Sequence, residues 1–447
     1  MENFLNLNKL TAGSPYQPYR KAIWLYLFLL IFEGALRKWF LPSLATPLLL
    51  VRDPIAIWLT LEGMRKGWLT SGYVKTMMVV STISLILTWM VGHQNFLVGI
   101  FGWRIYFFHF PMVFVMGKVL NRDDLMKMAR FILLLSIPMT MLITIQFYSP
   151  QSAWVNLGVG GEGSSGFQGA TVGGVSYFRP SGTFSFTQGY VSYQALVGCL
   201  LLYYLVMNGT LKRQYRFPLW LLIAFAAAYI VSIPTSISRT HFFQSMVFVA
   251  FLFLAVINKP RLKVQFLRFL VIGVIAVLLI SLFGKGGASL EAFTNRFDMA
   301  SKTEGGVQGT LGDRYFGGLL DGLLNFNIPF FGYGIGLGTN VGAKLMGGNM
   351  YSFGFNGENE WGRIVGECGM LLGWMIIGVR LLFSIDLLKK AYFKLKRHFD
   401  LMPWMLSAGM MLSVPQGQWS IPTNLGFCVL FAGFTLASVN TDIYSKK

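Results

Sequence analysis

Three carboxylates and an arginine crowd one short stretch, Glu358–Gly369, which reads ENEWGRIVGECG. Glu358 and Glu360 are the candidates for proton transfer. A carboxyl at an apolar boundary has its pKa raised towards what a base needs near neutrality, whereas Arg363 opposes that rise. A helix starting at Glu360 sets Glu360, Arg363 and Glu367 within about 60° of one another. Gly362, Gly366, Gly369 and Gly373 then form a second stripe roughly 120° away. Glycine stripes let membrane helices approach closely, so that face packs. The charged face is either an internal Glu–Arg clamp or the lining of a water-filled cavity.

Two other stretches gather polar chemistry beside apolar spans. In RPSGTF (Arg179–Phe184) an arginine sits beside hydroxyl and amide donors at a helix entry, Ser181 and Thr183 among them. That arrangement suits an anion site, and equally a capped helix with an interfacial arginine. In PTSISRTHFFQ (Pro234–Gln244), Ser238, Arg239 and His241 are compressed into a tight turn. His241 is either a base or a hydrogen-bonded structural histidine. The stretch LGDRYFGGLLDGLLNFNIPFFGYGIGLGTN (Leu311–Asn340) has no GxGxxG, P-loop or HExxH pattern, so nucleotide and zincin chemistry gain no support.

What must position these residues is a membrane domain. The 447 residues are 54% hydrophobic and 12% charged, with a mean hydropathy of +0.56. So little charge cannot coat a soluble protein of this size, and the apolar runs are continuous rather than alternating, which excludes a barrel. The expected fold is all-α and polytopic, one integral membrane domain over 1–447. Twelve spans are expected, near 22–40, 46–62, 74–92, 103–120, 125–147, 188–207, 217–234, 241–258, 264–284, 361–383, 401–415 and 423–439. Alternate loops, including both termini, hold 24 of the 37 basic residues, which places the termini in the cytoplasm. The net charge of +19 is therefore a topology signal rather than a sign of nucleic acid. No signal-peptidase site follows the first apolar run, so that run is expected to stay as a helix. Cys199, Cys368 and Cys428 lie far apart in apolar segments and read as reduced packing residues.

The outer side differs in kind. Leaving aside Arg380, which falls inside the tenth span, eight of its twelve basic residues are Arg, against nine of 24 on the inner side. A guanidinium grips phosphate bidentately and tolerates partial burial. Two outer loops are long, 149–187 and 284–360; the first is Gly-rich and the second holds amphipathic candidates at Ser289–Ala300 and Arg314–Asn325. Their aromatics are expected to fold back onto the membrane domain, where rings beside polar groups also suit sugars.

Taken together, four elements resemble the O-antigen polymerase and O-antigen ligase superfamily. RPSGTF resembles its RxSGTF element, and SISRT its Ser-Arg-Thr helix start. The Arg314 segment with NIPFFGYGIG resembles its large-loop element, and ENEWGRIVGECGMLLG its helix entry after that loop. The resemblance runs in order from about Phe178 to Gly373. It implies a GT-C-like glycosyltransferase of the bacterial inner membrane, working at the periplasmic face without metal or cofactor. Its substrate would be a polyprenyl-diphosphate-linked oligosaccharide, with membrane lipid around it and a flippase, a chain-length regulator or export proteins as partners, and no nucleic acid. Arg179, Arg239 and Arg314 would hold the diphosphate, and the base would sit at the helix start after the large loop, at Glu358 or Glu360. Ser181, Thr183, Ser238, His241, Arg363 and Glu367 would support them.

Ligases of this superfamily place His before Asn at that start, whereas this chain has Glu358 before Asn359, and none of its four histidines lies in the large loop. The expectation is therefore a polymerase joining lipid-linked repeat units by inverting transfer. The alternatives are a ligase moving finished glycan to a lipid or protein acceptor, and a transporter or glycan flippase. The last expects paired repeats and mid-membrane charges in broken helices.

Overall fold

A computed structural model describes residues 15–161, 168–172, 175–257, 259, 287–304, 317–324, 328–346 and 359–441. The main helices are α1 (Gln17–Ala35), α2 (Asp53–Arg65), α3 (Gly72–Met90), α4 (Phe96–Val119), α5 (Arg122–Tyr148), α6 (Thr187–Met207), α7 (Leu219–Thr235) and α8 (Arg239–Val256). There follow α9 (Gly287–Glu304), α10 (Gly318–Leu323), α11 (Asn340–Leu345), α12 (Glu360–His398), α13 (Leu401–Ser413) and α14 (Pro422–Asn440). A two-stranded antiparallel hairpin, β1 (Gln168–Val172) and β2 (Val175–Phe178), stands in the Gly-rich loop.

Among the described residues, nine helices are long and apolar enough to cross a membrane. They correspond to nine of the twelve expected spans, so the chain is a multi-pass, predominantly helical membrane protein. Of the other three, α1 carries Arg20, Lys21 and Glu33 within its 19 residues, and α13 has only 13. The span near 264–284 lies outside the described residues, as do Arg314 and Glu358.

Local chemistry sets several of the helix starts. The Asn121 side chain accepts the Asp124 backbone N–H while Asp124 accepts that of Asn121, a reciprocal cap that launches α5. Asn359 and Asp400 side chains cap α12 and α13 in the simpler way.

Side chains from nearly every helix join one continuous core. Several of the charges buried in it are paired, as a low-dielectric interior favours. Arg52 Nε donates to Glu33 at 2.9 Å, and Asp53 accepts from Arg104 and lies 3.0 Å from His109 Nε2. This pairing is how the span near 46–62 tolerates Arg52–Asp53. Arg104 precedes and His109 ends a π-helical turn, Ile105–His109, within which Tyr106 reaches α12 instead.

Loops that the charge count assigns to one side meet one another. At the end rich in Lys and Arg, Arg20 pairs with Asp124 at 3.0 Å, Arg122 with Asp400 at 2.9 Å, and Asn440 donates to Gly117 O. At the opposite, loop end, Gly160 N donates to Arg37 O and His93 N to Tyr333 O. The loop aromatics divide: Tyr177 stacks on Phe147 and Phe184 is buried, but Phe330 and Phe331 are exposed.

The largest departure from expectation is α12, which is not one helix running from Glu360 across the bilayer. Gly369 breaks it with φ +77°, and the chain doubles back. Twenty residues of straight helix would separate Glu360 from Arg380 by about 30 Å, yet Arg380 Nη1 donates to Glu360 Oε1 at 2.6 Å. A Cβ on Gly373 would lie 3.0 Å from Val365 Cα, which puts residues equally far before and after the break side by side. Gly362 and Gly369 of the glycine stripe pack closely as expected, but against α10 and the Phe330–Gly332 segment rather than another spanning helix. A Cβ on Gly322 would fall 2.6 Å from Gly362 N, and Gly369 abuts the Phe330–Gly332 backbone. The Gly366 and Glu367 carbonyls, just before the break, accept the N–H groups of Tyr333 and Gly334.

Candidate functional site

The site is built around RPSGTF, held by three elements. Gly34 of α1 lets the segment touch helix backbone: a Cβ there would lie 2.5 Å from both Ser185 N and Thr183 O. Thr183 Oγ1 donates to Ile31 O at 2.6 Å. From α5, Gln146 grips Gly182 from both sides, its Oε1 accepting the Gly182 N–H at 2.8 Å and its Nε2 donating to Gly182 O at 3.3 Å. Gly182 adopts φ +59°, which aims its carbonyl at a third partner, Lys38 Nζ, at 2.7 Å. Lys38 also donates to Ser181 Oγ at 2.9 Å. A Gly34→Ala variant is expected to push RPSGTF off α1 and to lower thermal stability by about 1–3 kcal/mol; unchanged unfolding would show that α1 and the loop are not in register here.

Next to RPSGTF is a cavity of about 410 Å³. Its wall includes Lys38, Arg179, Ser181, the amides Gln146, Asn156, Gln188, Gln418 and Asn424, and the rings of Phe178 and Phe186. Two cations line it, and no carboxylate among the described residues does. The Arg179 Nε and Asn424 Oδ1 atoms are buried without a hydrogen-bond partner among the described residues. Burial, and then the charges of Arg296 and Arg239, push the Arg179 guanidinium below its usual pKa. Two further arginines therefore lie within electrostatic reach of Arg179, which follows β2: Arg239 at the start of α8 and Arg296 on α9.

The frame bringing them together is aromatic and apolar. Phe293 and Phe297 of α9 pack edge-on against Phe242 of α8. Asn295 donates to Thr171 O of β1 at 3.2 Å, and Phe147, Ile237 and Ala292 share a small buried cluster beneath. Arg296 stood among the outer arginines of the sequence, but nothing in its neighbourhood marked it off from the rest.

The other candidates have structural duties. Ser238 Oγ accepts the His241 backbone N–H at 3.3 Å and caps α8. His241 is fully buried with Nε2 2.8 Å from Ser232 Oγ and does not line the cavity. Glu360 is saturated. Its Oε1 accepts from Arg363 Nη2 at 2.9 Å, Arg380 Nη1 at 2.6 Å and Trp419 N at 3.2 Å, and its Oε2 accepts from Arg363 Nε at 2.9 Å. A carboxylate so committed is a poor proton acceptor for a substrate. Arg363 continues to Glu367 at 2.7 Å and Tyr106 OH at 3.0 Å. Glu367 in turn accepts the backbone N–H groups of Gly336 and Gly338, at 3.1 and 2.7 Å. The charged stripe is thus the internal clamp, closed by an unexpected member, Arg380, which also donates to Val414 O and Gly417 O. Through Trp419 N it fixes the 414–421 loop that carries Gln418 into the cavity wall. Its remote partners explain why sequence alone left Arg380 aside.

No protein-family model matches this chain, and neither a curated protein nor a solved structure does.

Proposed function

We propose that the chain is a membrane glycosyltransferase that polymerises polyprenyl-diphosphate-linked glycan units at its loop end. The observation that carries this reading is the cavity: amides and hydroxyls suited to sugar, two lining cations, and Arg239 and Arg296 within electrostatic reach of Arg179. In the transfer, an acceptor hydroxyl attacks the anomeric carbon, the bond to the diphosphate oxygen breaks, and the hydroxyl proton passes to a base. Arginines stabilise the charge gathering on the departing lipid diphosphate. With Glu360 saturated, Glu358 is the remaining sequence candidate for that base. The active site would face the periplasm, with the basic end in the cytoplasm.

Arg179→Ala and Arg239→Ala variants that insert at wild-type levels are expected to leave cells with single repeat units in place of long glycan. Full-length polymer from both would end this reading, and accumulated long lipid-linked chains would redirect it to the ligase. A transporter is the second reading, favoured by the break at Gly369 beside buried charges. It expects wild-type membranes to move lipid-linked glycan between leaflets without lengthening it.

A further inference from the structure

Lys38 is a buried amine that meets no counter-charge among the described residues. It is 2% exposed, at the end of the π-helical turn that extends α1, Leu36–Phe40. Its two hydrogen-bond acceptors, Ser181 Oγ and the Gly182 carbonyl, are both neutral, and its remaining contact is the ring of Trp39 at 4.6 Å. Among the described residues no carboxylate pairs with it. Elsewhere in the same bundle the rule is the opposite: Arg52, Arg104, Arg363 and Arg380 each meet a carboxylate. Burying an ammonium without a counter-charge costs several kcal/mol, on the order of the usual ion-desolvation penalty, so burial disfavours the charged form in the empty site and an anion from outside would restore it.

That partner has to come through the cavity, which Lys38 lines together with Arg179 and Asn424. Arg179 brings an unpartnered donor, Nε, and Asn424 an unpartnered acceptor, Oδ1. An ammonium has three N–H donors and protein acceptors occupy two. A ligand answering all three residues carries an anion for Lys38 and Arg179 and, close by, a hydroxyl to donate to Asn424. We infer that Lys38 is an anion-binding residue of the cavity, completing with Arg179 a seat for the phosphate of a glycosyl phosphate whose sugar hydroxyl reaches Asn424. This rests on the proposed glycosyl transfer and adds to it a cation from the first helix. It also gives Ser181 and Gly182 a task, which is to hold the ammonium at the wall.

The test separates binding from folding. Purified full-length chain in detergent is titrated with geranyl diphosphate and with inorganic pyrophosphate, and its thermal unfolding is followed without ligand. Lys38→Met keeps the stem and removes the charge. It should weaken geranyl diphosphate binding by about tenfold or more while leaving the empty protein as stable as wild type or more so, because a buried amine without a counter-charge has gone. Lys38→Arg should recover part of the affinity. Asn424→Leu should leave pyrophosphate binding unchanged and weaken that of glucose 1-phosphate, titrated in the same way, since only the sugar would reach that side chain. A Lys38→Met protein that is destabilised but binds normally would make Lys38 a structural tether and overturn the inference. If Arg179→Ala still lost affinity in that case, the proposed function would stand without it. Wild-type chain that bound neither probe would overturn both.

Discussion

Glu360→Ala is expected to be the most damaging single substitution in the chain. It strips the buried Arg380 guanidinium of the carboxylate it meets and leaves Arg363 with Glu367 alone. Removing one partner of a buried ion pair costs roughly 3–5 kcal/mol, and here one carboxylate serves two cations and the Trp419 N–H. The expected result is little folded protein in the membrane and a lowered unfolding temperature for what is recovered. Glu360→Gln should be milder, since an amide oxygen can still accept from one guanidinium. Glu358→Gln is the contrasting variant: in the proposed reaction it should fold at wild-type yield and lose glycan lengthening. Unfolding temperature and glycan length, measured on all three, separate the clamp from the base. A Glu360→Ala protein with normal stability would contradict the network, and a Glu358→Gln protein with normal polymer would remove that residue as the base.

The second large effect is expected at Gly369. Its φ of +77° lies where a side chain is strained, and a Cβ would collide with the Phe330 carbonyl. Conformation alone costs about 1–3 kcal/mol, and the collision adds to it by prising the Phe330–Gly334 loop from the doubled-back helix. Gly369→Ala should therefore expose this loop to protease and lower stability, whereas Gly378→Ala, where an added Cβ meets nothing within 4 Å, should be neutral. Equal protease resistance in the two variants would mean that the break does not depend on glycine.

How much of this could be read beforehand depended on sequence distance. The Glu360, Arg363 and Glu367 stripe was legible because helical spacing places residues three and four apart on one face. The nine apolar helices were legible because bilayer thickness dictates their length. The fold-back was not, since its closing contact joins Glu360 to a charge twenty residues later, and Gly369 looked like one more member of a packing stripe. Lys38 was hidden for the same reason: its partners, Ser181 and Gly182, lie 143 and 144 residues away. Arg179 and Arg239 could be picked out by their flanking hydroxyls and turn residues. That Arg296 joins them depends on aromatic packing between α8 and α9, which leaves no local mark.

The doubled-back helix also bears on how the chain is threaded into a bilayer. A segment that enters and leaves by one face adds no crossing, so the alternation of basic and non-basic loops, and with it the counting of topology, survives an error about where a crossing begins. Residues 360–368 are too polar to partition into lipid by themselves. Their charge partners include Arg380, whose other acceptors, Val414 and Gly417, emerge later in synthesis. The first arm can therefore settle only after α13 and the loop behind it have arrived. Insertion of the spans and completion of the cavity wall are then expected to be separate events in time, and a truncation after α12 should give a membrane-inserted protein whose first arm has no place to dock.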